Sequence, residues 1–174
     1  TINREEISDG DVELYYEKVN KALELSDIKL TYFEITTAMM FLYMKDKNID
    51  YLVLETGLGG RTDATNTVTP VISLITNVSF DHMEFLGNTL REIAHEKAGI
   101  IKKNIPVFFA DDNPDLLEEI KAKTENYINV LKKYEFNENS TKLDKEKLNT
   151  LVKINNKEFR LSLFGKFQGK NFLL

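Results

Sequence analysis

The sequence predicts an α/β fold: a mostly parallel sheet flanked by helices, with a small antiparallel sheet near the C-terminus. Three observations carry this. Residues 51–54, 71–75 and 105–109 are short apolar runs of the kind that form parallel strands buried on both faces. Segments with apolar residues at helical spacing lie around and between them, and strand alternating with helix implies parallel strands joined by right-handed crossovers. From about Asn129 the pattern changes to short alternating runs, as in antiparallel strands.

The elements follow in order. Residues 1–8 read as an extended entry. Ser8 is placed to cap a helix over about 9–25, with acids in its first turn and Val12, Tyr15, Tyr16, Val19 and Leu23 as the apolar stripe. Thr31-Tyr-Phe-Glu34 has the spacing of a capping box, and Ile35, Ala38, Met39, Leu42 and Tyr43 continue the helix to about Lys47. Thr89-Leu-Arg-Glu92 is a second capping box, opening a helix that ends near Gly99. Asn113-Pro114 opens a further helix to about Tyr127, with proline at its first position. Runs 130–133, 151–154 and 159–163 are expected strands of the antiparallel sheet, with Asn155-Asn156 as a turn and the lysine-rich 137–149 as a mobile loop.

Composition narrows the function. A chain of 174 residues with 42% apolar and 29% charged residues is enough for one globular domain with a core. No apolar run approaches 18 residues, so no membrane partner is expected. Cysteine is absent, which removes disulfides and thiolate metal sites and fits a reducing cytoplasm, the expected location. A net charge of −5 argues against non-specific nucleic-acid binding. An anionic substrate would then be held by cations placed locally.

Chemistry in open α/β sheets collects at the C-terminal ends of the strands. Glu55 closes the first run and Thr76-Asn77 the second, with Asp81 and His82 a few residues on. A carboxylate at Glu55 suits a water-rich magnesium ion and equally suits a helix cap. His82 reads first as a hydrogen-bonding loop residue, since imidazole is not a favoured magnesium ligand, and Asp81 is placed to orient its ring. Gly57, Gly59 and Gly60 allow positive φ and close backbone approach. Arg61 and Asp63 after them form either a substrate contact or a salt-bridged surface turn, with Asn66 and Asn77 able to fix the loop through side-chain hydrogen bonds. Lys97 alone reads as a solvated helix lysine. No G-x-x-x-x-G-K-[ST] phosphate loop is present; Gly165-Lys-Phe-Gln-Gly-Lys170 is one residue short and is followed by asparagine.

These blocks also carry a resemblance. Glu55-Thr-Gly-Leu-Gly-Gly-Arg-Thr-Asp-Ala-Thr-Asn66, then Ile75-Thr-Asn-Val-Ser-Phe-Asp-His82, Leu86-Gly87 and Glu96-Lys-Ala-Gly-Ile-Ile101 resemble, in order and spacing, the folylpolyglutamate synthase and dihydrofolate synthase family of the Mur ligase superfamily. The resemblance runs from about residue 7 to about 171 and is weak between 125 and 157. It implies an incomplete Mur ligase central domain over 1–164, without the phosphate-loop part that lies upstream in the family. Residues 165–174 would be a linker towards a C-terminal domain, and the chain a fragment of a longer enzyme.

The resemblance assigns roles residue by residue. Glu55 would bind one magnesium ion and His82 a second, and Lys97 would be carbamylated by carbon dioxide, turning a cation into an anion. Asp63 matches an aspartate of catalysis or pterin binding, so Lys97, Asp63 and His82 form the expected catalytic set. Arg61, Asp63 and Asn66 would face substrate, and Gln168 and Asn171 the nucleotide, although Phe167 stands where the family usually has histidine. The implied activity is an ATP-dependent amide ligase adding L-glutamate to folate or dihydropteroate through an acyl phosphate. ATP would be a substrate and Mg2+ the cofactor, with a monomeric parent and a fragment inactive alone. A peptidoglycan-precursor ligase and a non-catalytic binding module of the same fold are the alternatives.

Overall fold

The computed structural model describes residues 1–174. The chain divides into two compact units, one of residues 1–58 and 63–67, the other of residues 59–62 and 68–174.

In the first unit, helix α1 (Asp9–Glu24) packs on α2 (Tyr32–Asp46). Both start where expected. Ser8 accepts the N–H of Asp11, and Thr31 and Glu34 close a full capping box. The helices bury Tyr15, Val19, Thr37 and Tyr43, with the two tyrosine rings edge to face at 5.5 Å. Asp46 accepts hydrogen bonds from the Tyr15 hydroxyl at 3.0 Å and the Lys18 ammonium at 2.8 Å. The entry is not simply extended: Ile2 and Glu5 bridge across a tight turn in which Asn3 and Arg4 have positive φ.

The strand expected at 51–54 does not form; Tyr51 and Val53 are 86% and 98% exposed. A strand needs a ladder partner for its N–H and C=O groups, and the other regular elements of this unit are helices and a 3-10 turn. An apolar run states only that a segment prefers burial, not that a partner exists.

The second unit holds both sheets. Strands β1 (Ser73–Ile75), β2 (Val107–Phe109) and β3 (Tyr127–Asn129) are parallel in the order β1-β2-β3. Helices α3 (Met83–Leu86) and α4 (Leu90–Ala98) fill the first crossover, and α5 (Pro114–Lys123) fills the second. The sheet is narrower than the apolar runs implied, since Val71 and Ile72 remain exposed. The Thr89–Glu92 capping box opens α4, and Asn113 caps α5 with Pro114 in its first turn.

Two expected elements change. The helix from Pro114 stops at Lys123, because Thr124 turns extended and its hydroxyl accepts the Asn126 N–H; Tyr127, expected at the helix end, begins β3 instead. Residues 130–133, expected as a strand, form a single helical turn, α6 (Val130–Lys133), capped by the Asn129 side chain.

The antiparallel sheet forms from β4 (Lys142–Asp144), β5 (Asn149–Ile154) and β6 (Lys157–Leu161), with Asn155 and Asn156 both at positive φ in the connecting turn. The segment 137–149, expected as a mobile loop, instead supplies a 3-10 turn (Glu138–Ser140) and strand β4 paired to β5. Residues 168–173 form α7 (Gln168–Leu173). Its Leu173 joins Ala110, Val130, Val152 and Ile154 in one buried cluster that ties the two sheets together.

Candidate functional site

In the first unit the site is a loop organised by Asp63. Its Oδ2 accepts the N–H groups of Gly57 and Leu58, both at 2.9 Å. Its Oδ1 accepts the Thr65 N–H at 2.9 Å and the Thr65 hydroxyl. Partial burial pushes this carboxyl up, but the hydrogen bonds from Thr65, Leu58 and Gly57 outweigh it and hold Asp63 below its ordinary value. Asn66 closes the following 3-10 turn by donating its N–H to the Asp63 carbonyl at 2.9 Å. Gly57 packs against α2, where a Cβ would stand 2.5 Å from the tip of the Phe33 ring, so a larger residue there would have to displace that ring. Glu55, at the start of this loop, is exposed.

In the second unit the Gly59–Thr62 stretch lies along the end of α4. Arg61 donates its N–H to the Glu96 carbonyl at 2.8 Å and its Nε–H to the Glu96 carboxylate at 2.9 Å. Lys97 follows Glu96, half-buried in the last turn of the helix. Beside α4 runs an open cleft of about 440 Å³, lined by Leu86, Arg91, His95, Glu96 and Glu119 among others; Glu96 touches the predicted site residue Arg61, and the Leu86 N–H donates to the carbonyl of His82 at 3.0 Å.

Asp81 and His82 stand between β1 and α3, both exposed. His82 has φ 49° and ψ 39°, a left-handed conformation uncommon outside glycine and asparagine. Its N–H donates to Asp81 Oδ1 at 2.9 Å, while the ring Nε2 lies 3.8 Å from the same oxygen. Asn77, past the end of β1, donates to the Ser79 hydroxyl at 3.4 Å rather than to the glycine loop. Gln168 and Asn171 meet on α7, with Asn171 Nδ2 donating to Gln168 Oε1 at 3.3 Å.

Asp111 is a residue that reading the sequence missed. It follows β2, and its carboxylate accepts the Val78 N–H at 2.6 Å and the Asn113 N–H at 3.0 Å. Asn129 at the end of β3 donates to the Asp111 carbonyl at 2.9 Å. One residue thus fixes the C-terminal ends of all three parallel strands, where chemistry collects in such folds. The available signal was Asp111-Asp-Asn-Pro114 directly after an apolar run.

No three His, Asp or Glu side chains converge into a metal-holding cluster. Magnesium does not need one, since it keeps several waters and takes one or two carboxylates alongside substrate phosphates. Glu55 and Asp81, both exposed carboxylates, are chemically suitable for that, and the His82 imidazole is the weaker donor.

A family model described as the Mur ligase middle domain matches residues 14–174. The dihydrofolate synthase/folylpolyglutamate synthase of Bacillus subtilis is 49% identical over 98 residues, covering 56% of this chain and 23% of that protein. The solved apo form of L. casei FPGS (folylpolyglutamate synthase) is 29% identical with a TM-score of 0.87, over 99% of this chain and 45% of that one. An FPGS–AMPPCP–folate complex is 29% identical with a TM-score of 0.86, over the same shares. The chain therefore spans less than half the length of the proteins it matches. A parallel sheet with helical crossovers, the glycine loop seated on α4, and a family match over residues 14–174 together establish that this chain belongs to the Mur ligase middle domain family.

Proposed function

We infer that this chain is the central domain of an ATP-dependent amide ligase that adds L-glutamate to folate or to dihydropteroate. The observation that carries the reading is the likeness of 99% of the chain to an FPGS solved with AMPPCP and folate. Residues 165–174 would lead on towards a further domain of the parent.

The reaction needs a carboxylate made electrophilic and an amine held beside it. The terminal phosphoryl group of ATP passes to an oxygen of the acceptor carboxylate, giving an acyl phosphate and ADP. The α-amine of glutamate attacks the acyl carbon and loses a proton, and the tetrahedral adduct expels phosphate to leave the amide. Positioning and charge stabilisation supply most of the acceleration in such a transfer. Glu55 would hold one magnesium ion and His82 a second, and such ions when bound neutralise phosphate charge. Lys97, carbamylated, would be an anion able to bind metal or orient a ligand.

Asp63 would keep the substrate-side loop closed, with Arg61 and Asn66 on it meeting the anionic acceptor. Gln168 and Asn171 would face the nucleotide. With no phosphate loop among residues 1–174, the chain on its own should neither hydrolyse ATP nor ligate glutamate.

The test is glutamate-dependent ADP release by the full-length parent, with dihydropteroate and tetrahydrofolate offered separately and Lys97→Ala as control. Turnover with either acceptor, lost in the variant, is expected. Silence with both acceptors would refute the reading.

A further inference from the structure

Glu96 has no part in the chemistry assigned above, yet it is where the glycine loop meets α4. Arg61 is joined to it twice, main chain to main chain at 2.8 Å and guanidinium to carboxylate at 2.9 Å. The Glu96 side chain is 17% exposed against 49% for Arg61, so the carboxylate is the embedded half of the pair. Two glycines permit the approach. A Cβ on Gly60 would stand 2.7 Å from Ile100 and 3.0 Å from the Glu96 carbonyl, and one on Gly99 would overlap the main chain of Arg61.

The helix end that receives the loop is itself fixed. Ile93, Ala94 and Ala98 are fully buried, the Thr89–Glu92 box holds the start of α4, and His95 Nδ1 lies 3.0 Å from Glu119 of α5. An exposed ion pair would add little. This pair has an embedded acceptor, a directional Nε–H donor and a parallel main-chain bond, so it fixes orientation as well as contact.

We propose that Glu96 is a positioning residue: acting through Arg61, it sets the glycine loop and the guanidinium against the helix that carries Lys97, so that the anionic acceptor meets an already oriented cation. The substrate half of this statement rests on the ligase reading; the coupling of loop to helix rests on the contacts alone. An interaction that only orients a binding group shows in the KM of the ligand it meets.

The experiment compares Glu96→Ala, Glu96→Gln, Arg61→Ala and the double alanine variant in the full-length protein. Glu96→Ala should raise the KM for the folate acceptor about tenfold, as loss of a charge-assisted contact does, with the KM for ATP within about twofold. The double variant should be no worse than Arg61→Ala, because Glu96 acts through that residue. Glu96→Gln, which keeps an acceptor at the same distance, should recover part of the loss. Additive losses, or an unchanged acceptor KM, would overturn the proposal. Where the full-length protein shows no ligase turnover, the ligase reading fails, and the coupling is read by hydrogen exchange in the 174-residue chain. Amides of the Gly59–Thr62 loop should then exchange about threefold faster in Glu96→Ala, and in Glu96→Gln to a lesser degree, with no further gain in the double variant. Unchanged exchange would overturn it.

Discussion

Replacing Asp63 with alanine should open the loop that carries most of the predicted substrate contacts. The carboxylate accepts four hydrogen bonds, three from main-chain N–H groups and one from a hydroxyl, and alanine leaves the three N–H groups of Gly57, Leu58 and Thr65 without that acceptor. Hydrogen bonds to a charged acceptor contribute roughly 1.5–3 kcal/mol each when buried. Asp63 is only part-buried and the Gly57 bond lies at the surface, so water replaces much of what is lost. The expected total is about 2–3 kcal/mol, with about half of it lost in Asp63→Asn, whose single carbonyl oxygen can serve one side of the loop. Chemical denaturation of the 174-residue chain, with hydrogen exchange localised to 57–65, measures both. The sign with pH follows from the depressed carboxyl. Its contribution is fully present above the unfolded value of about 3.9 and disappears as pH falls through the lower folded value. The difference between wild type and Asp63→Ala should therefore shrink only below about pH 4. A loss under about 0.5 kcal/mol with unchanged exchange, or a difference that grows on acidification, would refute the hub role.

Other substitutions probe the surrounding frame. Thr89→Ala removes the oxygen that accepts the Glu92 N–H and should cost about 1 kcal/mol, read as a fall in thermal midpoint. Gly99→Ala inserts a methyl group into the Arg61 main chain and should cost about 1–3 kcal/mol while speeding exchange at the Arg61 amide; a neutral effect would mean that the loop does not sit on the helix as described. The 174-residue chain should show no ATP hydrolysis with or without folate and glutamate, measured as ADP release; robust glutamate-dependent turnover by the chain alone would contradict the need for a phosphate loop from elsewhere.

What could be read directly was local. Ser8, Thr31, Thr89 and Asn113 all cap helices as their spacing predicted, because a cap is decided within four residues. The Asn155–Asn156 turn was legible for the same reason. Strand pairing was not. Residues 51–54 are as apolar as a buried strand but have no ladder partner, and Tyr127, which read as a helix end, begins a strand because β2 lay ready to pair with it. Lysine-rich sequence hid β4, whose short ladder to β5 depends on a contact distant in the chain. The site divides in the same way. The glycines, Arg61 and Asp63 stood out by type and order, whereas the Arg61–Glu96 pair spans 35 residues and Asp111 acts through Val78, 33 residues before it. Only folding brings such partners together.

The most direct test of the ligase chemistry follows oxygen from the acceptor. The full-length parent is supplied with ATP, L-glutamate and a folate whose terminal carboxylate carries heavy oxygen, and the released phosphate and the folate product are analysed by mass spectrometry. Transfer through an acyl phosphate predicts one labelled oxygen in the phosphate released with the first glutamyl residue added to the labelled folate. Unlabelled phosphate, or ADP formed with no glutamylated product, would contradict it.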